Sequence, residues 1–394
     1  MAGECVFFGM KLAMLAFGTL LFCGSTLHAE VPKAAADGSL QLTLPETAYA
    51  TVGVPFSIYF DNIVLTPTPQ NYRFEMDAAL GQPEARRWTV TPTAAQVGNH
   101  PLVVRVKDAK GALLAAAKTT LKIARSDAGA GRPLRLLIVG DSLTHASLYP
   151  NEIARLLNEP GNPRWTMLGT HKPSSAAEGV AHEGYGGWTW ASFLTKYDAK
   201  SSAPPDPKTP PRKSMSPFLY PGADGKPVLD LPRYFRENCA DQPPDVVTFL
   251  LGINDCFGAK VDDPIALDEK ILSVLENAEQ LIGAFHQAAP KAVFAVGLTT
   301  PPNDRQAAFV ANYQEKYTRW GWKRIQHRLV HLMLQRFAHR EKEGIHLVPT
   351  ELNLDPIDGY PVNNGVHPNA IGYAQVGASF YAWMKNWLAT QPGG

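Results

Sequence analysis

The chain is 394 residues long, which exceeds one average domain, so we expect two domains or one long one. Hydrophobic residues make up 45% of the chain, as in ordinary globular proteins, and this excludes a mostly disordered protein. Lysine and arginine number 37 against 36 acidic residues, which leaves a formal net charge of +1. This balance gives no support to bulk electrostatic binding of nucleic acids or anionic membranes, and we predict no nucleic-acid partner.

The first 29 residues have the layout of a signal peptide. Residues 12–23 form an uninterrupted apolar run that is too short to span a bilayer. Lys11 precedes this run, and residues 27–29 (LHA) end in a small residue suited to cleavage. We therefore predict a signal peptide over 1–29 and export to a periplasm or outside the cell, with no membrane span after cleavage. The alternative is an uncleaved N-terminal anchor.

Cysteine usage excludes two further classes of protein. Four cysteines occur without a C-x-x-C pair, so we expect neither a zinc ribbon nor a disulfide-dense scaffold. Removal of the signal peptide would leave Cys239 and Cys256, and export would permit a disulfide between them. A disulfide and two buried free thiols both stay open at this point.

Residues 38–125 alternate between apolar and polar side chains in short runs that are separated by turn residues. The runs cover 40–44, 56–60, 72–74, 87–90, 102–106 and 120–123. A period near two, broken by Gly, Pro, Asn and Asp, predicts a small immunoglobulin-like β-sandwich over 38–125. Its role could be that of a spacer, a glycan binder or a support for the rest of the chain. Residues 126–132 (SDAGAGR) have the composition of a flexible linker.

After Pro133, apolar strands alternate with amphipathic helices. Candidate strands cover 134–139, 164–168, 245–251, 292–298 and 346–348, and candidate helices cover 151–157, 266–289, 311–338 and 371–388. Near-continuous apolar strands between helices are typical of a parallel sheet that is covered on both faces. We predict one α/β domain over 133–390. Residues 201–232 hold nine prolines in a polar background, which predicts a long excursion over the surface.

Several predicted strands run into polar or glycine-rich segments at the edge where ligands bind in open α/β sheets. Ser142 follows the first strand and Asn254 follows the strand at 245–251. Gly187 lies after the strand at 164–168, and His367 stands just before the last helix. Each residue alone is a weak signal, because such residues also form turns and helix caps. Together, and in this order, they predict one site at the carboxyl edge of the sheet.

These segments resemble the SGNH, or GDSL-type, hydrolases, a family of esterases and deacetylases with a flavodoxin-like three-layer α/β/α fold. The resemblance covers 133–389, about two thirds of the chain. It rests on four blocks in the family's order, which are Gly140-Asp141-Ser142-Leu143, Gly186-Gly187-Trp188-Thr189, Gly252-Ile253-Asn254-Asp255 and Asn364-Gly365-Val366-His367-Pro368.

The resemblance implies that Ser142 is the nucleophile and that His367 is the general base. A serine hydroxyl needs such a base because it is too weak a nucleophile on its own at neutral pH. The resemblance also implies an oxyanion hole made by the backbone N–H groups of Ser142 and Gly187 and the side-chain amide of Asn254. We expect a Cβ at position 187 to obstruct the close approach of the backbone to the oxyanion. Trp188, beside Gly187, is a candidate contact for a sugar substrate.

One position departs from the family pattern, because Asn364 stands where the family usually has Asp, three residues before the histidine. An amide oxygen can orient an imidazole but cannot stabilise an imidazolium by charge. Three outcomes are open: a Ser–His dyad oriented by Asn364 or by a backbone carbonyl, a replacement carboxylate, or an inactive protein. Asp358 and Asp355 are the nearest candidate substitutes, although we favour a turn and a loop role for them.

By analogy with family members that carry an accessory sandwich, we expect a secreted serine esterase that hydrolyses O-acetyl groups on polysaccharides or oligosaccharides. The expected partners are an acylated carbohydrate or a small ester, and no cofactor or metal is implied. The first alternative is a lipid or small-ester hydrolase. The second is a catalytically inactive carbohydrate-binding protein, which the presence of Asn364 motivates.

Overall fold

The computed structural model describes Met1 and residues 40–198 and 215–392. The predicted signal peptide and the first part of the proline-rich excursion lie outside these residues. Within the described ranges, no helix is both long and apolar enough to cross a membrane.

Residues 40–124, which we call the N-terminal β-region, form two β-sheets. Their strands are β1 (Thr47–Thr51), β2 (Phe56–Tyr59), β3 (Arg73–Asp77), β4 (Gln82–Pro83), β5 (Arg87–Val90), β6 (Gly98–Lys107) and β7 (Leu113–Ala124), with one short helix, α1 (Phe60–Ile63). One sheet has the order β1-β7-β6-β3 and the other β2-β5-β4. The predicted strand at 40–44 is only a single bridge between Leu42 and Val64, and β1 was not predicted.

The alternation seen in the sequence sorts side chains between the core and the surface of the β-region. In β6, Leu102, Val104 and Val106 are fully buried, and the residues between them are partly exposed. Their cluster also contains Trp88 and Leu352, which belongs to the second half of the chain. The two halves therefore share hydrophobic packing, and the described residues from Leu40 onward form one compact unit.

The remainder, which we call the α/β region, contains a six-stranded sheet. Its strands and those of a separate hairpin are β8 (Pro133–Gly140), β9 (Arg164–Leu168), β10 (Glu183–Gly184), β11 (Leu219–Pro221), β12 (Pro227–Leu229), β13 (Val246–Leu250), β14 (Val293–Gly297) and β15 (Ile345–Val348). The sheet is parallel, in the order β10-β8-β13-β14-β15, and β9 pairs with the first half of β8 on the same side as β10. Antiparallel β11 and β12 form the hairpin.

Helices cover the sheet on both faces, which confirms the predicted flavodoxin-like α/β fold. They are α2 (Ser142–His145), α3 (Leu148–Leu157), α4 (Trp190–Thr195), α5 (Leu231–Asn238), α6 (Ile253–Cys256), α7 (Pro264–Ala288), α8 (Gln306–Tyr313), α9 (Arg319–Phe337) and α10 (Ala370–Ala389). Helix α3 packs on α10, and α7 packs on α4 and α9. The single helix predicted over 311–338 is two helices, because the chain turns at Gln314 with a positive φ of 58°.

The strand order places a ligand site between β8 and β13. The chain first adds β9 on one side of β8 and then crosses to add β13 on the other side. At such a switch point, the loops that follow the two strands diverge and leave a crevice beyond their carboxyl ends. Ser142 follows β8 and Asn254 follows β13, so both residues border this crevice.

Two residues of the predicted linker at 126–132, Ala128 and Gly129, are buried against the rest of the chain. Ala128 is fully buried, and its carbonyl accepts a hydrogen bond of 2.6 Å from Lys385 Nζ. Gly129 has a φ of +76°, and a Cβ there would lie 2.8 Å from the side chain of Leu388. Small residues that suggest flexibility are needed here because the turn lies tightly against α10.

Both remaining cysteines are buried free thiols, which decides between the two alternatives left open by the sequence. Cys239 follows α5 and Cys256 ends α6. Burial raises the pKa of Cys239 to about 11 and that of Cys256 to about 12. The thiolate is the reactive form, so we assign neither residue to the chemistry.

Candidate active site

The turn after β8 holds Ser142 at the start of a helix. Asp141 is the N-cap of α2, and its carboxylate accepts a hydrogen bond of 2.9 Å from the backbone N–H of Leu143. Gly140 is required because a Cβ there would collide with the side chain of Thr144. The Gly-Asp-Ser sequence thus produces a tight strand-to-helix turn, with the serine as the first helical residue.

His367 lies against the serine. Its Nε2 is 2.9 Å from Ser142 Oγ. The histidine is carried by the segment between β15 and α10, residues 349–369, which we call the histidine loop. Burial lowers the pKa of His367 below its usual value, which favours the neutral imidazole that a general base requires.

Asn364 orients the imidazole, which answers the question left open by the missing aspartate. Its Oδ1 lies 3.1 Å from His367 Nδ1 and also accepts the backbone N–H groups of Val366 (3.1 Å) and His367 (2.9 Å). Backbone N–H groups can only donate, so the oxygen of the amide must face them and Nδ1 must donate to it. Nε2 is then the unprotonated nitrogen that accepts the serine proton.

Neither candidate substitute carboxylate contacts the imidazole, and the replacement alternative is wrong. The side chain of Asp358 is 71% exposed and lies 3.9 Å from Arg305. Asp355 pairs with Arg86 at 3.0 Å and accepts the N–H of Ile357 at 2.8 Å. Burial opposes ionisation of Asp355, but these donors outweigh it and lower its pKa. Asp355 is thus a charged structural residue of the histidine loop.

The Gly187 and Asn254 segments are tied together across the crevice. Asn254 Nδ2 donates to the carbonyl of Trp188 at 2.9 Å. The neighbouring Asp255 accepts the backbone N–H of Trp190 at 3.0 Å. A primary amide has two N–H bonds, so the contact with Trp188 fixes Asn254 while its second N–H can serve an oxyanion.

Gly187 has a conformational requirement in addition to the predicted close approach to the oxyanion, which stays a prediction. A Cβ at this position would meet no atom within 4 Å, so crowding by protein atoms does not select glycine. The backbone φ of +78° selects glycine instead, because this left-handed conformation is about 1–2 kcal/mol less favourable for a residue with a side chain. Gly187 is exposed at the crevice, so its backbone is accessible to a substrate.

Trp188 does not fit the predicted role of a sugar contact. Its side chain is only 1% exposed, and its ring packs against Tyr185 at 4.5 Å and Phe193 at 4.9 Å between centroids. A ring that is enclosed in this way cannot stack on a substrate. Trp188 instead anchors the Gly187 segment to the core.

Asn303, which was not predicted from the sequence, is a buried residue that supports Asn364. Its Nδ2 donates to the carbonyls of Asn364 (3.0 Å) and Pro361 (2.8 Å), and its N–H donates to the carbonyl of Gly365 (3.0 Å). Asn303 follows β14 at the same sheet edge as Ser142. A polar residue after a buried strand was the available signal, although the neighbouring prolines suggested only a turn.

The N-terminal β-region also holds the histidine loop. The backbone of Ser57 donates to Asn353 Oδ1 at 2.8 Å, and Asn62 Nδ2 donates to the carbonyls of Glu351 (2.7 Å) and Leu354 (2.8 Å). With the Arg86–Asp355 ion pair, these bonds fasten residues 351–355 directly before the segment that carries Asn364 and His367. The β-region thus contributes to the geometry of the site without touching the serine.

The arrangement defines the class of the protein. A serine bonded to a correctly oriented neutral imidazole at the switch point of an α/β sheet is the machinery of a serine-dependent carboxylic ester hydrolase. Residues 218–375 match the GDSL-like Lipase/Acylhydrolase family. The chain is a carboxylic ester hydrolase, and part of it is similar to this family. The match includes Asn254 and His367, and Ser142, which precedes the matched residues, contacts His367 in the structure.

Solved structures that are similar to part of the chain include a Clostridium thermocellum family 3 carbohydrate esterase, with 16% identity and a TM-score of 0.42 over 65% of this chain and 98% of that one. Another is a family 3 carbohydrate esterase from Talaromyces cellulolyticus, with 15% identity and a TM-score of 0.39 over 66% of this chain and 100% of that one. No curated protein sequence matches the chain significantly.

Proposed function

We propose that the protein is an exported esterase that removes O-acetyl groups from polysaccharides or oligosaccharides. The observation that carries the ester chemistry is the 2.9 Å contact between Ser142 Oγ and His367 Nε2, with Nδ1 held by Asn364. This geometry makes the hydroxyl of Ser142 the nucleophile and makes Nε2 the acceptor of its proton.

The reaction proceeds in two steps. Ser142 Oγ attacks the ester carbonyl while its proton moves to His367 Nε2, and the imidazolium then gives this proton to the departing alcohol. Water, deprotonated by the same nitrogen, attacks the acyl-enzyme and releases the carboxylate and free serine. The negative charge on the tetrahedral oxygen is stabilised by the N–H groups of Ser142 and Gly187 and the free N–H of Asn254.

The exposure of the site favours a short acyl group on a bulky alcohol. Gly187 is exposed, and Ser142 and His367 are half-buried, so the reacting atoms lie in an open crevice. A bulky polymer can approach such a crevice, whereas a long acyl chain gains its affinity from an enclosed apolar channel. The predicted signal peptide would place the protein where extracellular polysaccharides occur.

Acetate release tests this proposal. Wild type, Ser142→Ala and the control Ser174→Ala, an exposed loop serine, are incubated with acetylated xylan, glucomannan and pectin and with p-nitrophenyl acetate. We expect wild type and Ser174→Ala to release acetate from at least one polymer and Ser142→Ala to release none. Faster hydrolysis of long-chain esters than of every polymer would favour a lipid hydrolase. If neither wild type nor Ser142→Ala releases acetate from any substrate, an inactive carbohydrate-binding protein would be favoured.

A further inference from the structure

A cavity of about 330 Å³, which we call the border cavity, lies between the N-terminal β-region and the loops after β14 and β15. Its volume falls in the range of small-ligand sites. The residues that matter for its chemistry are Asp61, Tyr72, Phe74, Arg86, Asp304 and Ile357.

The border cavity adjoins the catalytic machinery. Asp304 directly follows Asn303, whose side chain donates to the carbonyl of Asn364. Ile357 belongs to the histidine loop, and its carbonyl accepts a hydrogen bond of 2.6 Å from Arg305. Since β14 and β15 are parallel to β8, the loops that form this wall lie at the same sheet edge as Ser142. A polymer bound at the serine could therefore extend into the cavity.

One wall of the border cavity is aromatic. Phe74 stacks on the buried Phe60, with ring centroids 4.8 Å apart and planes within 3°. Phe60, Phe74 and Tyr72 all line the cavity, and Phe74 and Tyr72 are only partly buried. Rings that are fixed by packing present apolar surface with little conformational entropy left to lose. The C–H faces of a pyranose ring are the complementary surface.

Another part of the lining carries charges that are already compensated. Arg86 lies 3.0 Å from Asp355 and 4.0 Å from Asp61, and Asp304 pairs with Arg319. A carboxylate can accept a hydrogen bond from a hydroxyl group, and a guanidinium group can donate one to it. Because these charges already have partners of opposite sign, they do not require a charged ligand. An acyl chain at this wall would instead remove their water without replacing its hydrogen bonds.

We propose that the border cavity binds a neutral sugar unit of the polymer whose ester is cleaved at Ser142, so that the β-region supplies part of the substrate site. This inference rests on the proposed function for its link to catalysis. The sugar binding itself can be measured in the absence of turnover.

The test measures binding and turnover separately, in the full chain. Xylohexaose, cellohexaose and chitohexaose are titrated into Ser142→Ala and into Ser142→Ala combined with Tyr72→Ala or Tyr72→Leu, and the heat of binding is recorded. Tyr72→Leu keeps an apolar side chain at this position and guards against loss of fold, which melting curves monitor. The matched control is Tyr220→Ala, since Tyr220 is another half-buried tyrosine, in the hairpin of β11 and β12.

We expect at least one hexasaccharide to bind Ser142→Ala, and both Tyr72 changes to weaken it by about tenfold while Tyr220→Ala does not. In turnover, Tyr72→Leu should lower kcat/KM for the acetylated polymer several-fold more than for p-nitrophenyl acetate. No binding by any hexasaccharide, or equal affinity in the Tyr72 and Tyr220 variants, would overturn the proposal. If Tyr72-dependent binding persists while wild type releases no acetate, the sugar site stands and the esterase proposal fails.

Discussion

Replacing Asn364 by aspartate should restore a charge that the catalytic histidine lacks. The change is isosteric. Asn364 Oδ1 now accepts three hydrogen bonds, from the backbone N–H groups of Val366 and His367 and from the ring Nδ1–H of His367, and the aspartate would accept the same three. The imidazole therefore keeps its orientation and its tautomer. The new negative charge should raise the pKa of His367 and stabilise the imidazolium that forms in the transition state.

The size of the effect follows from the 3.1 Å contact between Oδ1 and Nδ1. Two unit charges about 4 Å apart interact by about 4 kcal/mol at an effective dielectric constant of 20. Asn364 and His367 are half-buried, so solvent screens part of this energy. An adjacent opposite charge shifts a pKa by about 1 to 3 units, and each unit is about 1.4 kcal/mol. The Asn364→Asp enzyme should therefore gain about tenfold to a thousandfold in kcat/KM.

The gain should depend on pH, because the general base must be neutral. Burial lowers the pKa of His367 in the wild type, so the acid limb of its pH–rate profile should lie below the ordinary histidine value of about 6.5. In Asn364→Asp the limb should move to higher pH. The variant should then exceed wild type most at pH 9 and least at pH 5.

The assay is kcat/KM for p-nitrophenyl acetate between pH 4.5 and 9. Asn363→Asp is the matched control, because Asn363 is the exposed neighbour and adds the same charge to the same loop. We expect its profile to follow wild type. If Asn364→Asp shows neither a shifted acid limb nor a higher plateau than Asn363→Asp, the reasoning that Asn364 orients the base is refuted.

Three further predictions concern Asn254, Arg86 and Glu351. Asn254→Ala should lower kcat about 10²–10³-fold with KM little changed in steady-state kinetics, and a pure KM effect would argue against an oxyanion donor. Arg86→Met should lower the free energy of unfolding by about 0.5–1.5 kcal/mol in urea at pH 7, and its effect should vanish in an Asp355→Asn background; additive effects would contradict the ion pair. Burial raises the pKa of Glu351 from 4.5 to about 8, so the folded state holds its proton longer and stability should fall as pH rises through this window. Glu351→Gln should remove this fall, and identical melting profiles of variant and wild type between pH 5 and 9 would contradict it.

Much of the site could be predicted because its residues follow strand ends. A parallel sheet brings the carboxyl ends of its strands to one edge, so Ser142 after β8 and Asn254 after β13 lie at the same edge of the sheet. His367 was placed by its block before the last helix, and the structure brings it to the serine. These predictions needed only the order of the elements and the local turn chemistry.

Exposure was harder to predict, because it depends on what packs above a residue. Trp188 stands beside Gly187 in the sequence, yet the glycine is exposed and the tryptophan is enclosed by an aromatic cluster. Asp358 and Asp355 were candidates by spacing alone, but Arg86, which lies 269 residues away from Asp355, determines where that carboxylate points. A single sequence contains no signal for contacts of this kind.

The same limitation explains why the role of the N-terminal β-region as a support was only one of three left open by the sequence. Its strands have their own alternation, and residues 126–132 have the composition of a linker, so the local signals did not choose between a spacer, a glycan binder and a support. The bonds that join the halves, such as that between Ser57 and Asn353, connect residues 296 positions apart. The side chain of Leu352 packs in the core of the β-region. Without the β-region, this side chain would lose its apolar neighbours, and the polar groups of residues 351–355 would lose their hydrogen-bond partners. Because this segment leads directly to Asn364 and His367, the β-region is a structural part of the hydrolase, and the catalytic geometry depends on both halves of the chain.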